Sequence, residues 1–165
     1  MTRLIVLLPF LLSTTGRPRG KGLAELRRVA RKTVILTWDQ EVWEQFWLFD
    51  YCPDLRRQDG LRAVAIPTIV EALGNCEVTA LPIPHDCLDG FQGAFWRRPA
   101  AYLDPEVRAR ISGFAQMPRE SYEEGLERLA VDLSCGTWQR KHSALMERET
   151  MDLGYRLVIA DRSRK

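Results

Sequence analysis

Six residues, TVILTW (33–38), constrain the fold most. The run is β-branched and apolar, and it predicts a strand buried on both faces, as in a parallel sheet. It follows directly on LAELRRVA, where Leu23, Leu26, Val29 and Ala30 recur at helical spacing. Arg27, Arg28, Arg31 and Lys32 crowd the end of that helix, where cations complement the negative end of its dipole. A helix feeding a buried strand without a loop is one step of an α/β layer fold.

The remaining segments extend that pattern. EVWEQFWLFDYCP predicts a helix from about 40 to 50, stopped by Pro53. Its aromatics (Trp43, Phe46, Trp47, Phe49, Tyr51) serve either as core or as a pocket wall. IPTIVEALGN (66–75) predicts a helix, with Pro67 in its first turn and Gly74 past its end. CEVTALPIP (76–84) alternates and ends in prolines, which suits a strand near an edge. LDGFQGAFWRRPAAYL (88–103) starts as a helix and is interrupted at Pro99. DPEVRARISGFAQM (104–117) opens on an Asp104 cap with Pro105 behind it. RESYEEGLERLAVDLSCGTWQRKH (119–142) is helical to Cys135, with Gly136 as a stop, and GYRLVIADR (154–162) is the last strand. The predicted order is α-β-α-α-β-α-α-α-β, without repeats.

Composition narrows the function classes. The chain has 165 residues, 45% hydrophobic and 28% charged, which suits a single globular core. A net charge of +2 is too small for a phosphate-binding surface, so no nucleic-acid partner is expected. Cys52, Cys76, Cys87 and Cys135 form no CxxC pair, which favours reduced thiols and the cytoplasm. His85 and Cys87 are the nearest approach to a ligand pair, and nothing completes a metal site around them. The N-terminus reads MTR, then LIVLLPFLL (4–12), then STTGR (13–17). It resembles a short signal peptide but lacks a small-residue cleavage pattern, and it is shorter than the ~20 apolar residues that span a bilayer. No membrane partner is expected. Residues 1–21 are therefore set apart, as a non-native or signal-like segment, from a body at 22–165. A functional signal at 1–16 would instead make this a small secreted α/β protein.

The order of AELRRVARKTVILTWD, IPTIVEALG, CEVTALPIPHDC, DGFQGAFWRRPAAYLDPEVRARISGFA and DLGYRLVIADR resembles the C-terminal half of class I S-adenosylmethionine-dependent methyltransferases (type 11-like) that act on small molecules. The similarity covers roughly 22–162. It implies a partial Rossmann-like sheet. TVILTW would be strand five and EVTALPI strand six. RLVIA would be strand seven, antiparallel between them, with a helical insertion between the last two in sequence. Members bind the cofactor on a glycine-rich turn after strand one, and no such stretch stands in this sequence. The resemblance thus implies a substrate-side half that binds S-adenosylmethionine poorly by itself and is inactive alone. Strand five would lack its neighbour, leaving an open sheet edge for association. A non-catalytic binding module is the alternative. Plausible codons for Leu12 to Arg17, read one base out of phase, give Val-His-His-Trp-Pro, like the end of the family's fourth strand. Residues 1 to about 20 are accordingly compatible with an out-of-frame copy of that strand, which the gene's nucleotide sequence decides.

Methyl transfer is an in-line displacement that depends on alignment and exclusion of water. The resemblance puts the pocket for a small methyl acceptor after strands four to six. That implies Trp38, Asp39, Trp43, Trp47, His85, Asp86, Phe95 and Trp96 as its lining, with Phe91 beside them. His85 is the candidate general base, since histidine titrates near neutrality; the competing role is a loop hydrogen bond. Asp86 suits a turn cap. WRRP (96–99) is either a site for an anionic substrate or a solvated basic turn, and His142 reads as a surface residue at a helix end.

Overall fold

The computed structural model describes residues 4–7, 19–62 and 64–162, so STTGR lies outside the described residues. The chain divides into two compact units. Unit 1 takes residues 1–43, 60–81 and 154–165; unit 2 takes 44–59 and 82–153.

Unit 1 is built on a sheet of β1 (Leu4–Leu7), β2 (Lys32–Trp38), β3 (Cys76–Ala80) and the last strand, Tyr155–Asp161. With β4 (Ile83–Pro84) and β5 (Thr150–Met151) assigned to a separate two-stranded pair, that last strand is β6. The order across the sheet is β1-β2-β6-β3. β1 runs parallel to β2, with Leu4 opposite Lys32 and Leu7 opposite Ile35. β6 is antiparallel to both its neighbours, and Ile35 faces Val158, which faces Val78. RLVIA therefore lies between TVILTW and EVTAL, as expected. The edge differs from expectation. β2 has a neighbour, so the edge expected on TVILTW is occupied by β1, a strand that local patterning in a short apolar run did not reveal.

Thr33, Ile35 and Thr37 are buried on one face of β2, whereas Val34, Leu36 and Trp38 are half-buried on the other. The strand is not equally buried on both faces. The covered face carries α1 (Arg19–Val29) and the helix Ile66–Leu73. Leu23, Ile35, Ile69, Leu73, Val158 and Ala160 form the core there. The helix Ile66–Leu73 ends at Gly74, whose φ of 65° turns the chain and whose N–H donates to the Val70 carbonyl at 2.8 Å. Arg162 donates to the Arg27 carbonyl and Arg27 to the Ala72 carbonyl, so guanidinium groups satisfy the orphan carbonyls where both helices end.

The helix expected over 40–50 is broken. α2 (Gln40–Trp43) and α3 (Leu48–Tyr51) are separated by turns at 44–47. Trp47, Leu48, Phe49 and Tyr51 are all buried, more than one stripe of a continuous helix could face inward. Pro53 ends one helix and opens the next, α4 (Pro53–Arg62), which makes Ile66–Leu73 α5. The strand expected to 84 stops at Ala80, since Pro82 lacks the ladder donor; Ile83 and Pro84 pair instead with Met151 and Thr150.

In unit 2 the helical start expected at 88 is a series of turns leading to a 3₁₀ segment at Pro99–Leu103. Side chains hold this stretch where backbone ladders do not. Tyr102 Oη donates to the Gln92 carbonyl at 2.6 Å, and the buried Gln92 donates to Asp59 at 3.1 Å. α6 (Pro105–Arg110) has its expected cap, with Asp104 accepting from the Glu106 N–H at 2.8 Å. α7 (Ser112–Ala115) is followed by α8 (Glu123–Ser134). Gly136, at φ 72°, stops α8 and admits α9 (Thr137–Lys141).

Candidate functional site

The residues expected to line a pocket fall into two groups, one in each unit. In unit 1 they gather at the carboxyl end of β2, where open α/β sheets place their ligands. Asp39 Oδ1 accepts from the Glu41 N–H at 3.1 Å, so Asp39 caps α2. Its other oxygen lies 3.7 Å from the Arg156 guanidinium. The Asp39 N–H donates to the Gly154 carbonyl at 2.7 Å. Gly154 has φ 88°, and a Cβ there would stand 2.7 Å from the Asp39 carbonyl, so only glycine allows this approach. Trp43 is buried edge-on to Tyr155 at 5.4 Å. Trp38 is opposite Tyr155 in the ladder, and its Nε1 is buried without a hydrogen-bond partner. Thr37 Oγ1 is also unpartnered.

In unit 2, Trp47 and Trp96 are core. Trp47 Nε1–H donates to the Trp96 carbonyl at 2.8 Å, and Trp96 Nε1–H to the Ile83 carbonyl at 3.1 Å. Phe95 is half-buried against Tyr102, with the Arg98 guanidinium 4.9 Å above its ring. Asp86 lies exposed in the turn after β4. His85 is engaged twice. Its N–H donates to the Glu149 carbonyl at 3.0 Å, and its Nε2 is 3.2 Å from the Glu149 carboxylate. Arg97 reaches the same carboxylate at 3.8 Å and donates to the Arg148 carbonyl at 2.9 Å. Arg98 donates to the Cys87 and Ala94 carbonyls. Both guanidinium groups of WRRP thus tie loops together.

His142 is the histidine that the sequence reading passed over. It is half-buried against the Trp47 and Trp138 rings, at 5.9 and 5.0 Å. Its Nε2 is buried and unpartnered. The available signal was its i, i+4 spacing from Trp138, which places both on one helix face. Burial, and then the Lys141 ammonium, hold its pKa below the usual histidine value, while Asp50 pulls the other way. The unfolded chain therefore takes up the proton first as pH falls. Stability should fall as the pH is lowered from about 7, through the ordinary histidine value of ~6.5, to about 5.5. His142→Gln should remove that drop, read as the urea midpoint at both pH values; an unchanged drop would assign it to other groups.

Beside this cluster an open cleft of about 480 Å³ is lined by Asp50, Tyr51, Glu124, Arg128, Asp132 and Lys141. Tyr51 Oη donates to Asp132 at 2.7 Å, and burial, reinforced by that carboxylate, raises the phenol's pKa. Among the described residues no group of three or more His, Cys, Asp or Glu could hold a metal. No helix among them is long and apolar enough to cross a membrane. The four cysteines are free thiols, and burial pushes Cys52 up to about 12.

No protein-family model and no curated protein matches the chain. Among solved structures, the chain is similar to the crystal structure of a "Putative methyltransferase from antibiotic biosynthesis pathway" of Anabaena variabilis. The TM-score is 0.82 at 33% identity, over 95% of this chain and 64% of that one. The chain thus spans 64% of the length of the protein it matches. The likeness supports a methyltransferase fold.

Proposed function

We propose that these residues form the acceptor-side part of an S-adenosylmethionine-dependent methyltransferase acting on a small molecule. The observation that carries the reading is the sheet order β1-β2-β6-β3, with β6 antiparallel between two strands of opposite direction to it. On this reading β1, β2, β3 and β6 are strands four, five, six and seven, and residues 82–153 are the helical insertion. Within unit 1, the carboxyl end of β2 supplies an acceptor-side wall.

On this reading the cofactor half is not among the described residues. S-adenosylmethionine requires a close backbone approach, made by glycines in a turn that follows a strand and opens a helix. Among the described residues the glycines at positive φ are Gly74, Gly136 and Gly154. Gly74 and Gly136 end helices, and Gly154 leads into β6. These residues do not fit the cofactor, so no catalytic step is assigned to this part alone. β1 pairs with β2 and, among the described residues, with no second strand. Its outer edge is where a cofactor-binding chain or segment would add.

Calorimetry with S-adenosylmethionine tests the division. The 165-residue chain should show no saturable heat at concentrations where complete enzymes of this kind are filled. One-site binding in the micromolar range would overturn the assignment of the cofactor half to other residues.

A further inference from the structure

Two buried polar atoms in unit 2 lack partners within one aromatic cluster. Trp138 is 1% exposed, and its Nε1–H reaches no acceptor. His142 Nε2, one helical turn on, is buried and equally unpaired. The two rings are 5.0 Å apart and inclined at 41°. Trp47 stands edge-on to Trp138 at 5.2 Å, and its own N–H is already spent on the Trp96 carbonyl. Buried polar groups are nearly always paired, so two unpaired in one cluster call for a partner.

The chemistry of that partner follows from the two atoms. An indole nitrogen only donates. A histidine held below its usual pKa by burial is neutral at pH 7, and its unprotonated ring nitrogen accepts. A carboxylate offers acceptors alone and an ammonium donors alone, whereas a hydroxyl offers both. We propose that Trp138 Nε1–H and His142 Nε2 together bind a hydroxyl group, donating to its oxygen and accepting its proton in a hydrogen bond. A bound water or the hydroxyl of a small organic molecule supplies this chemistry. The second source rests on the acceptor-side reading above; the site itself does not.

The open cleft lies near the cluster. Tyr51 lines the open cleft and its ring lies 6.1 Å from Trp47. At the rim Lys141, the residue before His142, pairs with Asp50 at 2.8 Å. Both are more than half exposed, and water screens such a pair so that it holds weakly. His85 does not compete for this role, because its Nε2 faces Glu149.

Nuclear magnetic resonance on the full chain tests the proposal with phenol and toluene as probes, which differ in the hydroxyl. The Trp138 indole signal is assigned with Trp138→Phe, and independently from its neighbours' signals in the unaltered chain. If water is the occupant, the indole proton shows a cross-peak to a long-lived water. If an organic hydroxyl is taken, phenol shifts the Trp138 indole and His142 ring signals saturably, and toluene does not. His142→Phe should then weaken phenol at least tenfold. Either pattern supports a hydroxyl site and tells the sources apart. Equal effects of toluene and phenol, or neither a water cross-peak nor a phenol shift, overturn it. The readout is blind to S-adenosylmethionine, so failure of the methyltransferase reading leaves a distinct result.

Discussion

Gly125→Ala should destabilise the chain by about 3 kcal/mol, the upper end of what overpacking a core costs. The sign is what makes this informative. Gly125 lies in the first turn of α8, and inside an ordinary helix alanine is favoured over glycine by about 1 kcal/mol. Here a Cβ would stand 1.9 Å from the Tyr51 carbonyl oxygen and 2.7 Å from its carbon. Both are backbone atoms at the end of α3, where Arg128 also donates to the Tyr51 carbonyl at 3.2 Å. Neither can swing aside, so the two helices must part. Gly113→Ala is the control. Its Cβ would meet Gln92 Oε1 at 2.3 Å, the far end of a flexible side chain that can turn at the expense of its bond to Asp59. Urea midpoints should rank wild type above Gly113→Ala, and Gly113→Ala well above Gly125→Ala. A Gly125→Ala protein as stable as wild type would show that α3 and α8 do not approach so closely.

Trp96→Ala should cost about 3–5 kcal/mol, as large-to-small changes of buried aromatic residues do. Trp96 is fully buried, and its Nε1–H is bonded to the Ile83 carbonyl at the start of β4. The change empties core volume and also removes the indole's bond to that carbonyl, which keeps its place in the ladder opposite Met151. Trp96→Phe separates the two effects. It keeps most of the apolar volume and loses the bond, at about 1 kcal/mol. Both variants should also speed amide exchange in the β4–β5 pair. Full exchange protection there in Trp96→Ala would sink the idea that the indole anchors β4.

Local rules were legible where the local environment decides the conformation. Pro67 and Gly74 bracketed α5, Asp104 capped α6, and Gly136 stopped α8, each through a bond within a few residues. TVILTW and RLVIA were legible because their runs are long and β-branched. What escaped was set by distant partners. Leu4–Leu7 becomes a strand only because β2 offers it an edge. The run from 88 to the break at Pro99 looks helical, yet the bond from Trp96 to Ile83 and that from Tyr102 to the Gln92 carbonyl hold it in turns. Helix position alone marks His142 as a surface residue and does not reveal the Trp47 ring against it. His85 drew attention for its chemistry, and only the fold reveals Glu149 beside it.

The position of β6 bears on how the chain is made. Its register joins residues 32–38 to 155–161, so the sheet's inner strand emerges from the ribosome after nearly everything else described. Until then β2 and β3 have no common neighbour, and their ladders face the cell unprotected. The residues of unit 2, which end at 153, have all been synthesised by that point. Closure of the sheet is therefore a late, long-range event, of the kind that folds slowly and is vulnerable to aggregation. Slower translation of codons beyond 153 should lower the soluble yield more than the same delay placed within α8.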